Sequence, residues 1–122
     1  MASSIIGGLL ESGHPAQSIS AADPFPASLE RLRETAPIRV CADNPSAVAD
    51  ADVIIMAVKP QVMAEATDSI AAAVKANAAL VISIAAGVTM DAMAARLGAA
   101  AAIVRCMPNT PALLGCGASG LF

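Results

Sequence analysis

At 122 residues, the chain has the length of a single domain able to build a core of its own. A net charge of −3 and an aromatic inventory of two phenylalanines offer nucleic acid neither a basic surface nor a stacking platform. Mean hydropathy is high at +0.68, yet Lys59, Lys75, Arg96 and Arg105 interrupt the apolar windows before the roughly 18 residues that a membrane span needs.

The apolarity comes instead from alanine and from Val/Ile runs, the composition of a sheet covered on both faces, so no membrane partner is expected. Cys41, Cys106 and Cys116 form no CxxC pair, and the first two sit in strand-like runs where a buried reduced thiol is usual. The N-terminus lacks the basic start of a signal peptide. Cytoplasm is the expected compartment.

Ile5, Ile6, Leu9 and Leu10 recur at helical spacing over residues 2–12, and Gly13 and Pro15 stop that helix. Residues 18–22 read as a weak strand ending at Asp23-Pro24, and residues 27–35 as a helix with Leu29, Leu32 and Ala36 on one face. A further strand is expected over 37–41. Asn44 and Pro45 then open a short helix as N-cap and N1.

Residues 52–58 form the clearest strand, a continuous β-branched run of the central parallel type. Gln61 to Val74 follows as a helix with Val62, Ala66, Ile70 and Val74 along one stripe. Residues 80–84 are strand again, and Ala85-Ala86-Gly87 turns out of it. Thr89 caps a helix that ends at Gly98. The strand at 102–107 must stop near Met107, because Pro108 has no N–H for a sheet ladder. Residues 115–122 offer one more strand.

Strands alternating with helices predict an α/β fold: a doubly wound, mostly parallel sheet with helices on both faces. Such folds begin on a strand, whereas this chain begins on a helix. The expectation is therefore that the first strand is missing and that Met1 is an internal methionine. Three strands ending in small or polar turns point to one shared ligand edge at their carboxyl ends. Asp23 follows a strand where dinucleotide folds place an acceptor for the adenine ribose hydroxyls; a plain Asp-Pro turn is the alternative. Ala85, Ala86 and Gly87 are small enough for a flat ring to press against backbone.

The sequences Ala-Val-Lys-Pro-Gln (57–61), Ser-Ile-Ala-Ala-Gly-Val (83–88) and Arg-Cys-Met-Pro-Asn-Thr-Pro (105–111), followed by Gly-Ala-Ser-Gly (117–120), resemble pyrroline-5-carboxylate reductases. The resemblance covers essentially the whole chain in register and order. It implies a Rossmann-type domain using NADPH or NADH to reduce a cyclic imine, 1-pyrroline-5-carboxylate, to proline. It also implies a homo-oligomer when full length, with a helical C-terminal dimerisation domain that is absent here, so that residues 1–122 are a partial NAD(P)-binding domain.

By the same resemblance, Ala57, Val58, Lys59 and Pro60 lie under the ribose and phosphates. Asn44 lies near the adenosine ribose. Asn109 and Thr110, on a turn just outside a strand's carboxyl end, are the candidates for the nicotinamide neighbourhood; a plain Pro-bounded turn is the alternative. The family's opening strand and Gly-x-Gly turn are not found before the helix at 2–12, an expectation that makes the fragment inactive alone. No catalytic residue is assigned, because relatives hold the substrate mainly through the absent domain. No metal cluster is visible, His14 reads as a loop residue, and Cys106 has no base to activate it. Two other readings remain open: a nucleotide-binding module without chemistry, and a different Rossmann enzyme such as a methyltransferase or a 3-hydroxyacid dehydrogenase.

Overall fold

The computed structural model describes residues 2–108 and 119–121. They form two compact units, divided between Ala49 and Asp50.

The first unit opens on α1 (Ala2–Glu11). Gly13, at φ +91°, takes the left-handed position beyond the helix end. There His14 N–H donates to Leu9 O at 3.0 Å and Gly13 N–H to Leu10 O at 3.1 Å, the paired bonds that close a helix C-terminus. A single 3-10 turn, Ala16–Ser18, precedes β1 (Ser20–Ala22), so the expected strand loses its first residues to that turn. Next come α2 (Pro26–Thr35), β2 (Arg39–Cys41) and α3 (Asn44–Val48).

Strands β1 and β2 pair in parallel, Ser20 opposite Arg39 and Ala22 opposite Cys41. Ile6, Ile19 and Ile38 make the core, with Leu9, Leu32 and Val40 packed around them. Leu32 belongs to the expected face of α2, but Ala36 lies past the helix as its extended cap.

The second unit contains β3 (Val53–Met56), α4 (Met63–Asn77), β4 (Leu80–Ser83), α5 (Met90–Leu97), β5 (Ala102–Pro108) and β6 (Ser119–Leu121). Their strand order is β3-β4-β5-β6. The first three run parallel, as the alternating pattern predicts. β6 is antiparallel to β5, with Met107 opposite Gly120. The link over residues 109–118 is shorter than the dozen or more residues that a parallel crossover takes, which accounts for the reversal.

β3 differs from the doubly buried strand expected of its sequence. It is shorter, and it alternates: Ile54 and Met56 are buried, while Val53 is 50% and Ile55 38% exposed. An unbroken apolar run cannot by itself distinguish one covered face from two. In the strand order β3 stands at the end, hydrogen-bonded to β4 on one side. Its buried face continues across the register into Val81 and Ser83.

A 3-10 turn, Pro60–Val62, occupies the expected first turn of the following helix. Val62 consequently points to solvent, and the buried stripe of α4 is Met63, Ala66, Thr67, Ile70 and Val74. Thr67 is acceptable in that stripe because its hydroxyl donates to Met63 O at 2.6 Å. α4 ends on Ala78, whose φ of 50° and ψ of 40° are left-handed without being glycine. α5 behaves as its sequence predicts: Thr89 Oγ1 accepts from Ala92 N–H at 3.1 Å, and Gly98 closes the far end at φ +106°. Among the described residues no helix is long and apolar enough to cross a membrane.

Candidate functional site

In the second unit, Met56, Ser83 and Arg105 stand level across the three parallel strands. The segments that follow β3 and β4 therefore leave the sheet from the same edge, and Ile84 N–H donates to Met56 O at 3.2 Å as they part. This is the edge at which open parallel sheets hold ligands. It carries Ala57, Val58, Lys59 and Pro60 from one strand and Ala85, Ala86 and Gly87 from the next.

Lys59 is exposed and extended at φ −65°, ψ 146°, and its carbonyl accepts from Val62 N–H at 3.1 Å, turning the chain through Pro60 towards α4. Ala57 and Pro60 are exposed, and Val58 is half-buried. In the second turn Ala86 and Gly87 face solvent, but Ala85 is buried, so only its backbone is left to meet a ring. Gly87 sits at φ +76°, and a Cβ built there would meet no atom within 4 Å. The glycine serves the backbone angle, not the space.

Ser83 opens one of the quoted motifs, but the sequence assigns it no role of its own. It is 1% exposed, and its Oγ accepts the Ala85 N–H at 3.3 Å, fixing the first peptide of the turn. A lone serine ending a strand is the one signal for it. Beside these turns lies a groove of about 310 Å³, lined by Pro60, Met63, Thr67, Gly87, Thr89 and Arg96 among others. It takes in Pro60 and Gly87 but not the other five expected residues of the edge. Arg96 is tied across it to Asp68 at 2.7 Å, joining α5 to α4.

The first unit holds a separate groove of about 490 Å³ at the carboxyl ends of β1 and β2. Pro24, Leu29 and Val40 give it apolar walls, and Asp23, Glu30 and Arg33 supply its charges. Asp23 Oδ1 accepts from Phe25 N–H at 2.8 Å, which sets the turn; among the described residues Oδ2 makes no hydrogen bond. The expected turn thus uses one oxygen of the carboxylate and leaves the other for the expected acceptor role.

Asn44 departs from its expected role. The cap of α3 is Asp43, whose Oδ1 accepts from Ser46 N–H at 2.8 Å, and Asn44 is the first helical residue. Aspartate caps as well as asparagine, and here it stands three residues before the N–H it receives. The side-chain and backbone hydrogen bonds of Ser46 hold the Asp43 carboxyl below its ordinary pKa. Asn44 is half-buried and does not line the groove with Asp23. Asn109, Thr110 and Cys116 lie outside the described residues. Of the other cysteines, Cys41 is buried as expected, while Cys106 is only half-buried. No group of three metal-ligating side chains occurs among the described residues.

A family profile described as "NADP oxidoreductase coenzyme F420-dependent" matches residues 1–87. The chain belongs to that family. Among curated relatives of this NADP oxidoreductase-family chain, the pyrroline-5-carboxylate reductase of Pseudomonas aeruginosa is 47% identical over 122 residues, which is 100% of this chain and 44% of the relative. The reductase of Escherichia coli is 39% identical over 119 residues, covering 96% of this chain and 44% of its own length. The chain thus spans less than half the length of these relatives.

Among solved structures, a pyrroline-5-carboxylate reductase from Coxiella burnetii superposes with a TM-score of 0.95 at 34% identity, over 99% of this chain and 45% of that one. The match makes the fold Rossmann-type. The NADP-bound pyrroline carboxylate reductase of Plasmodium falciparum, at TM-score 0.82 and 22% identity over 98% of this chain and 43% of that one, agrees in fold.

Proposed function

We propose that the whole protein reduces 1-pyrroline-5-carboxylate to proline with NADPH or NADH, and that residues 1–122 are part of its nucleotide-binding domain. The observation that carries this reading is the 47% identity over the full 122 residues to a curated pyrroline-5-carboxylate reductase. Two observations, one in each unit, support it: Asp23 Oδ2 is an acceptor without a hydrogen bond among the described residues, and the edge beyond β3 and β4 is small and exposed at Ala57, Ala86 and Gly87.

When bound, the reduced nicotinamide supplies a hydride to the carbon of the protonated C=N bond, leaving a secondary amine. A protonated imine is already electrophilic, so the task of these residues is placement. In this reading Ala57–Pro60 and the turn at Ala85–Gly87, braced by Ser83, would form the floor of that placement. Asn109 and Thr110 join them in this proposal as neighbours of the nicotinamide, and Asn44 as a neighbour of the adenosine ribose.

The rest of the protein would supply the helical dimerisation domain and the substrate carboxylate contacts. A cytoplasmic homo-oligomer acting on a small molecule, with no nucleic acid partner, completes the proposal. The test is oxidation of NADH and NADPH by the purified whole protein with 1-pyrroline-5-carboxylate, beside the 122-residue stretch alone. Proline formation by the whole protein and none by the stretch is expected. Nucleotide binding without turnover by the whole protein would favour the non-catalytic module instead.

A further inference from the structure

The charges around the first-unit groove are unevenly committed. Asp23 and Glu30 make its balance negative against Arg33 alone. Arg33 is held by Glu30, Nη1 to Oε1 at 3.2 Å, one helical turn apart on α2 and with both side chains more than half exposed. Arg31, the other arginine near this strand end, reaches back to Ala27 O at 3.4 Å and does not line the groove. Among the described residues one cation, Arg33, lines the groove, and Glu30 on the same helix competes for it.

Resting on the reading of this groove as the adenosine end of a dinucleotide site, we propose that Glu30 is a specificity-determining residue. It sets the preference between a free ribose and a 2′-phosphorylated one by drawing Arg33 away from the phosphate. A free 2′-hydroxyl donates to Asp23 Oδ2 and needs nothing from Arg33. A 2′-phosphate is repelled by Asp23 and must break the Glu30–Arg33 pair to gain a counter-ion. An exposed pair at this distance is weak, so Glu30 biases the choice without forbidding either coenzyme. Glu30 acts through Arg33 and is a positioning residue.

The experiment uses the whole protein, titrated by calorimetry at fixed low ionic strength with two probes: AMP and adenosine 2′,5′-bisphosphate. Glu30→Gln is expected to tighten the bisphosphate about two- to fivefold and to leave AMP unchanged, the size expected from an exposed pair. In an Arg33→Gln background the same change should give no gain.

An unchanged ratio of the two affinities in Glu30→Gln would overturn the proposal. So would a gain that persists without Arg33, since Glu30 would then act by plain repulsion. A parallel loss of AMP affinity would overturn it too, as a structural effect. Failure of both probes to bind the unaltered protein would instead remove the groove as the adenosine site, and the inference with it.

Discussion

Among the described residues, the buried side chains of the first unit, Ile6, Ile19, Ile38, Cys41 and Val48, each keep 6–9% exposure, whereas in the second unit Thr67, Ala79, Val81, Ser83 and Met93 are 1% exposed or less. The helices repeat the contrast. α2 contributes no buried residue, while α4 contributes Met63, Ala66, Thr67, Ile70 and Val74. One region is thinly packed and carries its charges around a groove; the other is densely packed and carries small residues at a sheet edge. Dense burial and the charged groove thus belong to different units, and local stability should follow the burial.

The largest effect that would sharpen this contrast is a matched pair of truncations. Ile70→Ala should cost about 4 kcal/mol and Ile19→Ala about 2 kcal/mol, the upper and lower parts of the range for such changes. Urea unfolding followed by hydrogen exchange reads both, and equal losses would break the comparison.

Next in size is Asp23→Ser in the whole protein. Loss of a hydrogen bond to a half-exposed carboxylate should weaken NADH by about 1.5 kcal/mol, roughly tenfold, and move the kcat/KM ratio towards NADPH. An unmoved ratio would take Asp23 out of the site. Thr89→Ala removes the cap of α5 and should cost about 1 kcal/mol by urea unfolding, without altering nucleotide affinity in the first-unit groove.

The smallest effect is acid sensitivity at α3. Because the folded Asp43 pKa is depressed, its contribution is complete above the unfolded carboxylate value. It is lost as pH falls through the lower folded value. Asp43→Asn should flatten that part of the stability profile, and an unchanged profile would show that the cap carries no linkage.

Where the chain writes its own punctuation, the sequence was sufficient. Gly13, Thr89 and Gly98 end or begin helices where they were expected, because left-handed angles and orphan N–H groups are local requirements. The parallel order of β3, β4 and β5 was legible for a similar reason, since helical crossovers leave few alternatives. Burial was less legible. Val62 is apolar and exposed because a 3-10 turn shifts one helix face, and Val53 because β3 is covered on only one of its faces.

That residues 57–60 and 85–87 share one sheet edge could be read from strand ends, while a cofactor role for 57–60 rests on the resemblance. Ser83 as brace and Asp43 as cap depend on which oxygen meets which N–H, and that is settled only in three dimensions.

Ala78 raises a different question, that of ambiguity in where α4 stops. Residues 71–79 are mostly alanine, the strongest helix former, and Asn77 is the one local residue that favours an end. The chain leaves the helix there all the same, through a left-handed alanine that costs roughly 1–2 kcal/mol. What draws it out lies downstream: Ala79 and Val81, at 1% and 0% exposure, are claimed by the interior before another turn can form. The boundary is therefore an outcome of tertiary competition. A stretch freed from its core should overrun it, with helix content rising at residues 78–80 as β4 melts.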